Sequence, residues 1–158
     1  MFRVGIGYDV HALKEGESLI LGGVNIEHYK GTVAHSDGDV LLHAICDALL
    51  GAANLKDIGY HFPDNDPTNK NIDSLILLKK TYQLVINKGY KLGNIDATIA
   101  MQTPKLKPFI DEMCNKIALT LGVELDLISI KATTTEKLGF EGREEGVSTQ
   151  AVVLIEKQ

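Results

Sequence analysis

The sequence His35-Ser-Asp-Gly-Asp-Val-Leu-Leu-His43 has the pattern of a loop that runs directly into a helix. Ser36 is a favourable N-cap residue, Asp39 follows three positions later as in a capping box, and an apolar run begins behind it. The pattern predicts a helix over residues 36–53. Because capping requires neither of the two histidines, we expect them to serve chemistry at the start of this helix.

Apolar patterns on both sides of this stretch predict the remaining elements. We expect a strand at 2–11, a hairpin at 18–26 with Gly22-Gly23 as its turn, helices at 72–88 and 108–121, and strands at 92–103, 127–133 and 147–155. Segment 57–67 contains two prolines and three aspartates, so we expect no regular structure there. The glycine-rich segment 137–146 is expected to be a loop.

These elements predict an α/β fold of the α+β type, a sandwich in which a mixed β-sheet carries about three helices on one face. The chain has 158 residues, without an internal repeat or a linker-like segment. We therefore expect a single domain that spans residues 1–158.

Composition limits the possible partners and compartments. The formal net charge is −5 and no long basic run occurs, so we expect no nucleic-acid partner. No apolar run reaches membrane-spanning length, and the N-terminus lacks signal-peptide and transit-peptide features. We expect a cytoplasmic protein without a membrane partner, or a plastid-type location if the chain is a processed eukaryotic form. Cys46 and Cys114 lie in helical apolar patterns without a CxxC pair, which favours free thiols.

Three residues have the chemistry and spacing of a metal site. Asp9 and His11 are two apart on a predicted strand, so their side chains point to the same face. His43 would add a third donor from the helix, and three protein ligands with an open fourth position are typical of catalytic zinc. The alternative is that His11 is a hydrogen-bonded residue at a strand end and that His43 lies on a helix surface.

Two further segments could bind phosphate. Lys105 and Lys107 precede a predicted helix whose first amides could also contact an anion, although the two lysines could equally be a solvated pair. Thr133, Thr134 and Thr135 precede Glu136, a set that could bind phosphate oxygens and a divalent cation or simply form a turn. No Walker A motif and no serine nucleophile elbow occur, which excludes P-loop nucleotidases and disfavours serine hydrolases.

Four segments of the chain together resemble a known enzyme family. These segments are Tyr8–His11, Ala34–His43, Asp57–Gly59 with His61–Asp64, and Lys131–Phe140. In order and spacing they resemble the 2-C-methyl-D-erythritol 2,4-cyclodiphosphate synthases, and the resemblance runs from the first strand to the last. It implies a phosphorus–oxygen lyase of non-mevalonate isoprenoid biosynthesis. Such an enzyme converts 4-diphosphocytidyl-2-C-methyl-D-erythritol 2-phosphate to the 2,4-cyclodiphosphate and releases CMP.

The resemblance also implies roles for individual residues. Zinc would be held by Asp9, His11 and His43, and a second divalent ion, magnesium or manganese, by Glu136. His35 and Thr134 would stabilise the transition state. Substrate contacts are implied for Asp9, Val10, His11, His35, Ser36, Asp57, Ile58, Gly59, Phe62, Pro63, Asp64, Asn65, Asp66, Met101, Gln102, Thr103, Pro104, Lys105, Leu106, Lys107, Thr133, Thr134, Thr135, Glu136, Phe140 and Arg143.

The implied assembly is a homotrimer with active sites between neighbouring subunits. Phe140 and Arg143 would lie in the segment that lines its central channel. The sequence departs from the family only slightly, since Met101 and Thr103 stand in a variable part of the cytidine-binding loop.

Two other functions are compatible with the same residues. A metal-dependent phosphohydrolase would use the cluster with water as the nucleophile and would release an uncyclised product. A non-enzymatic trimeric binding protein would need a closed, four-ligand structural metal, whereas this sequence offers three clear ligands.

Overall fold

A computed structural model describes every residue from Met1 to Gln158. Seven strands are present: β1 (Phe2–Glu15), β2 (Leu19–Leu21), β3 (Val24–Ile26), β4 (Lys30–Thr32), β5 (Tyr90–Ala100), β6 (Ile128–Thr133) and β7 (Gly146–Lys157). Five α-helices accompany them: α1 (Val40–Ala52), α2 (Ile58–His61), α3 (Ser74–Asn87), α4 (Ile110–Leu121) and α5 (Gly139–Gly142). Short 3-10 turns occupy Pro67–Asn69, Lys107–Phe109 and Leu125–Leu127.

The main sheet has five strands in the order β4-β1-β7-β5-β6, and β2 pairs with β3 in a separate hairpin. Only β5 and β6 are parallel, because α4 provides the helical crossover that parallel neighbours require. The other pairs in the main sheet are antiparallel. The predicted mixed sheet with helices on one face is therefore confirmed, with α1, α3 and α4 as the three main helices.

Two glycines of β1 allow α1 to lie against the sheet. Eleven of the thirteen residues of α1 are buried, so this helix has almost no solvent-facing side. A Cβ atom added to Gly7 would lie 1.8 Å from the carbonyl oxygen of Ala44, and one added to Gly5 would lie 1.9 Å from that of Ala48. The backbones of β1 and α1 are thus closer than any side chain at positions 5 and 7 would permit.

Gly7→Ala is expected to destabilise the protein by about 3 kcal/mol or more, because the clash is with helix backbone and no side-chain rotation relieves it. A Cβ added to Gly51 in α1 would meet only one atom, at 3.9 Å. Gly51→Ala should therefore stabilise the protein by roughly 0.5–1 kcal/mol. Urea unfolding of the two variants measures the contrast, and equal stabilities would contradict the close packing of β1 on α1.

The first helix begins later than the sequence pattern predicts. α1 starts at Val40, and its N-cap is Asp39 instead of Ser36. The buried Asp39 carboxylate accepts the N–H of Leu42 at 3.0 Å and both N–H groups of the β2–β3 turn. Two carboxylate oxygens can serve these three donors, which a single hydroxyl cannot. Burial raises the pKa of Asp39 to about 6, although the backbone donors oppose the shift.

The prediction of no regular structure in 57–67 was wrong. Asp57 caps α2 by accepting the N–H of Tyr60 at 2.9 Å. Asp66 caps the following 3-10 turn by accepting the N–H of Thr68 at 2.9 Å. The aspartates that seemed to disfavour regular structure are the residues that start these short helices.

Other differences concern short elements. The expected hairpin at 18–26 is confirmed as β2 and β3, and the long strands and helices agree within a few residues at their ends. The sequence pattern missed β4, which pairs with the last residues of β1, and α5, which lies in the segment 137–146. Both elements are too short for a periodic pattern to identify.

The face of the sheet opposite the helices is unusually apolar. Phe2, Val4, Ile6 and Tyr8 of β1 and Val152 of β7 are between 46% and 70% exposed. Ile6 lies opposite Val152 in the β1–β7 register, so these side chains form a continuous patch.

None of the helices combines the length and the apolar character that crossing a bilayer would take.

Candidate active site

The three predicted metal ligands meet at the point where β1 passes the start of α1. His11 Nε2 lies 2.8 Å from Asp9 Oδ2, and His43 Nδ1 lies 3.2 Å from that oxygen and 3.3 Å from His11 Nε2. Asp9 and His11 share a face of β1, as the strand period requires. His43, on the first turns of α1, is only 7% exposed, so the alternative of a helix-surface histidine is wrong.

The outer nitrogen of each imidazole faces a hydrogen-bond partner. His11 Nδ1 lies 3.3 Å from the carbonyl oxygen of Val33, which can only accept, so Nδ1 carries the proton. His43 Nε2 lies 3.1 Å from the Ser74 hydroxyl and 3.2 Å from that of Ser36. The inner nitrogens, His11 Nε2 and His43 Nδ1, are thereby directed towards Asp9.

These three atoms fit a divalent metal ion. Zinc bound at about 2.0–2.1 Å in a tetrahedral site separates neighbouring ligand atoms by about 3.3 Å. The distances from His43 to the other two atoms already match this spacing, and the pair Asp9–His11 needs to open by about 0.5 Å. One carboxylate and two imidazoles leave a fourth position facing the cleft, as in catalytic zinc sites.

A proton on His11 Nε2 can link the imidazole of His11 to the carboxylate of Asp9. Burial by itself would raise the pKa of Asp9, but the neighbouring imidazoles, His11 foremost, outweigh this effect and lower that pKa to about 2. Burial would likewise lower the pKa of His11, but the hydrogen bond and charge of Asp9 outweigh it and raise that pKa above the ordinary histidine value. The protonated His11–Asp9 pair therefore competes with metal binding.

Metal affinity is expected to rise with pH while His11 loses its proton. Below the raised pKa of His11, the dissociation constant for zinc should fall about tenfold per pH unit, because binding releases one proton, and above that pKa this dependence should end. Competition titrations with a chelator of known proton affinity, between about pH 6 and pH 8, measure the slope. A dissociation constant that does not change with pH would contradict the proton competition.

The cluster lies in a cleft of about 410 Å³, which we call the metal cleft. Ten residues predicted for the site line it: Asp9, Val10, His11, His35, Ser36, His43, Ile58, Gly59, Phe62 and Asp64. Asp47 of α1 accepts the N–H of Ile58 at 2.8 Å and so anchors α2 beside the cluster. Burial raises the pKa of the Asp47 carboxyl group.

A second cleft of about 400 Å³ lies at the end of β5 and β6, and we call it the threonine cleft. Eight predicted residues line it: Met101, Gln102, Pro104, Lys105, Leu106, Lys107, Thr133 and Thr134. Its walls combine apolar side chains with hydroxyl and ammonium groups, which suits a ligand that has both a flat ring and phosphates.

The two clefts open at the same end of the sheet but share no lining residue. Asp9 lies opposite Thr149, which lies opposite Ile99, which lies opposite Ala132 in the threonine cleft. Three strand spacings therefore separate the clefts within one chain, a distance of about 14 Å.

The family model for the YgbB family matches residues 2–156, nearly the whole chain and both clefts. The chain belongs to the YgbB family. This confirms the resemblance inferred from the four sequence segments. A YgbB-family relative from Bacteroides thetaiotaomicron, 2-C-methyl-D-erythritol 2,4-cyclodiphosphate synthase, is 63% identical over 155 residues, covering 98% of each chain.

Solved structures agree with the YgbB-family assignment. The CDP complex of IspF from Plasmodium falciparum superposes with a TM-score of 0.87 at 35% identity, covering 99% of this chain and 97% of that one. The bifunctional IspDF from Campylobacter jejuni superposes with a TM-score of 0.96 at 47% identity and covers all of this chain. This chain matches 43% of that longer protein.

Some predicted site residues of this YgbB-family chain lie outside both clefts. These residues are Asp57, Pro63, Asn65, Asp66, Thr103, Thr135, Glu136, Phe140 and Arg143. The exposed Glu136 has a φ of 54° and directs its N–H towards Thr134 Oγ1 at 3.4 Å. Within a single chain, Glu136 is therefore not part of the Asp9 cluster.

Three residues that lie beside the clefts were not predicted from the sequence: Asp37, Ser74 and Lys131. Lys131 lines the threonine cleft, and its two-residue spacing from Thr133 on one strand was the available signal. Ser74 contacts His43, and Asp37 accepts the hydroxyl proton of Ser74. No local pattern connects Ser74 to the metal cleft, because 31 residues separate it from His43.

Proposed function

We propose that this member of the YgbB family is a 2-C-methyl-D-erythritol 2,4-cyclodiphosphate synthase, a phosphorus–oxygen lyase that acts as one domain over residues 1–158. Its substrate is 4-diphosphocytidyl-2-C-methyl-D-erythritol 2-phosphate, and its products are the cyclic diphosphate and CMP. The observation that supports this most strongly is the Asp9–His11–His43 cluster in one cleft, together with a hydroxyl- and lysine-lined second cleft at the same end of the sheet.

We further propose that Asp9, His11 and His43 hold zinc and that Glu136 holds a second divalent ion, magnesium or manganese. The ligand-atom spacing and the two directed imidazoles support the first assignment. When bound, the ions neutralise phosphate charge and polarise the phosphorus centre under attack.

The protein side chains then have the task of orienting the substrate. Its 2-phosphate has a second pKa of about 6, so the nucleophile is already ionised near neutral pH and no strong base is needed. His35 in the metal cleft and Thr134 in the threonine cleft would donate hydrogen bonds to phosphate oxygens that gain charge. Holding the flexible polyol in line for attack on the β-phosphorus removes much of the entropic barrier.

The remaining predicted contacts form two groups, one in and around each cleft. Residues 57–59, at the start of α2, and residues 62–66 would contact the methylerythritol part. Residues 101–107 and 133–136 would contact the cytidine diphosphate. The two lysines at 105 and 107 supply the positive charge that a chain of net charge −5 otherwise lacks.

A homotrimer would bring the clefts of neighbouring subunits together. One face of the sheet carries a contiguous group of exposed apolar side chains: Phe2, Val4, Ile6, Tyr8 and Val152. Contiguous patches of this kind are typical of interfaces, and burial between subunits would remove this one from water. Such packing would place the threonine cleft and Glu136 of one subunit beside the metal cleft of the next. Phe140 and Arg143 would then lie near the threefold axis.

We also propose that the protein is cytoplasmic. Cys46 and Cys114 are both free thiols, which suits a reducing compartment. Burial raises the pKa of Cys46 to about 12 and keeps this thiol unreactive.

Incubation with the substrate, followed by ³¹P NMR, tests the proposed reaction. We expect CMP and the 2,4-cyclodiphosphate in equal amounts, and loss of both when a chelator removes the metal. A metal-dependent phosphohydrolase would instead release inorganic phosphate or an uncyclised diphosphate. Detection of those products without the cyclic one would refute the proposal.

A further inference from the structure

The His43 nitrogen that faces away from the metal cluster is held by a chain of two polar groups, the buried Ser74 and the half-buried Asp37. The Ser74 hydroxyl lies 3.1 Å from His43 Nε2 and donates its proton to Asp37 Oδ1, with 2.5 Å between the oxygens. The backbone N–H of Ser74 donates to the other Asp37 oxygen at 2.8 Å. Ser74 is fully buried at the first turn of α3, so water does not reach its hydroxyl, and only the Asp37 end of the chain is partly exposed.

The direction of each hydrogen bond in this chain is determined by the groups present. A carboxylate can only accept, so Asp37 takes the single hydroxyl proton of Ser74. With that proton committed, the Ser74 oxygen can only accept from His43, and Nε2 of the imidazole must be the protonated nitrogen. His43 Nδ1 is then left with a free lone pair, directed at Asp9 and His11.

Ser36 contacts the same nitrogen but does not determine its protonation. Its hydroxyl lies 3.2 Å from His43 Nε2 and accepts the N–H of Gly38 at 3.2 Å. Because no other group takes the Ser36 proton, this hydroxyl can turn to donate or to accept. Only the Ser74 hydroxyl is locked as an acceptor towards the imidazole.

We propose that Ser74 and Asp37 are positioning residues that hold His43 as the Nε2–H tautomer, so that Nδ1 is ready to bind the metal. The inference rests on the proposed zinc site at Asp9, His11 and His43. Hydrogen-bond partners of this kind fix ring orientation and tautomer, and losing one typically lowers metal affinity about 10–100-fold. The chain also connects the metal ligand on α1 to the start of α3, an element that no predicted site residue occupies.

Two measurements on the full chain test this role. Zinc affinity is measured by competition with a chromophoric chelator, and the His43 tautomer by ¹⁵N–¹H NMR of the metal-free protein. Ser74→Ala should weaken zinc binding about 10–100-fold and give a mixture of the two tautomers. Asp37→Asn should act in the same direction, because one of the two oxygens that accept from Ser74 becomes an NH2 group that can only donate. The double variant should be no weaker than Ser74→Ala if both residues act through one chain.

Two control variants separate this role from general structure. Asp73→Asn alters the cap at the start of the same helix, where Asp73 accepts the N–H of Leu75 at 2.8 Å, without contact to His43. Ser148→Ala removes another buried serine hydroxyl, which donates to Glu141 at 2.8 Å. Both should bind zinc within about threefold of the unaltered chain, because neither hydrogen-bonds to a ligand.

Failure of the positioning role and failure of the proposed zinc site give different results in these measurements. Unchanged zinc affinity in Ser74→Ala, an unchanged tautomer, or an equal loss of affinity in Asp73→Asn would each overturn the positioning role. If Ser74→Ala does not fold, Asp37→Asn decides by the same criteria. If the unaltered chain binds no zinc, the proposed metal site fails, while the tautomer in the metal-free protein still tests the Ser74 chain.

Discussion

His43→Ala is expected to abolish metal binding and to lower CMP release by about a thousandfold or more, because a metal ion supplies several kcal/mol of charge stabilisation to such a reaction. Asp9 and His11 alone leave a two-ligand site that is open on the side of α1. The fold should survive, since His43 packs at the edge of the cleft and the apolar residues of α1 hold the helix to the sheet. Metal content per chain and CMP release measure the two effects.

His28→Ala is the matched control for this variant. His28 precedes β4 and is not among the residues that line the metal cleft. Its replacement should change neither metal content nor CMP release. Retention of both metal and activity in His43→Ala would remove the basis of the proposed zinc site.

Ile6→Glu is expected to convert the proposed trimer to monomers and to lower activity about a hundredfold or more, because small misplacements of reacting groups have effects of that size. Ile6 is 70% exposed in the single chain, so the charge costs little there. In a trimer it would be buried in an apolar interface without a partner, which is strongly unfavourable. Activity should fall because the two clefts of one chain lie about 14 Å apart.

Leu119→Glu provides a control with the same change of chemistry. Leu119 is 82% exposed on α4, away from the apolar sheet face. This variant should keep the mass and activity of the unaltered protein in light scattering and CMP assays. A trimeric and active Ile6→Glu variant would show that the β1–β7 face is not the interface.

Most of the fold follows from periodicity. The two-residue alternation of β1 and the helical spacing of α3 and α4 are local properties, and the structure confirms the elements that they predict. The elements β4 and α5 were missed because they are short, and the errors at the start of α1 and in segment 57–67 occurred where side chains bind backbone donors. Ser36 and Asp39 both fit a helix cap locally, and Asp39 is the cap because the β2–β3 turn, distant in sequence, adds two more N–H groups.

The candidate site likewise depends partly on local sequence patterns and partly on tertiary contacts. The strand period alone placed Asp9 and His11 on one face, and the four matched segments indicated the reaction before any geometry was available. The distance from these residues to His43 depends on Gly5 and Gly7, whose missing side chains let α1 approach β1. A sequence pattern marks these glycines as unusual in a strand but does not show which helix packs against them.

From its residues alone the chain could be assigned its long strands and helices, its family and the three residues of the candidate metal cluster. The three-dimensional packing was needed to show which atoms of Asp9, His11 and His43 converge, which predicted residues share a cleft, and that Ser74 and Asp37 lie behind His43. The difference comes from how far apart in the sequence the interacting residues are. Backbone periodicity acts between residues three or four positions apart, whereas hydrogen-bond direction and burial depend on segments that meet only when the sheet and helices pack.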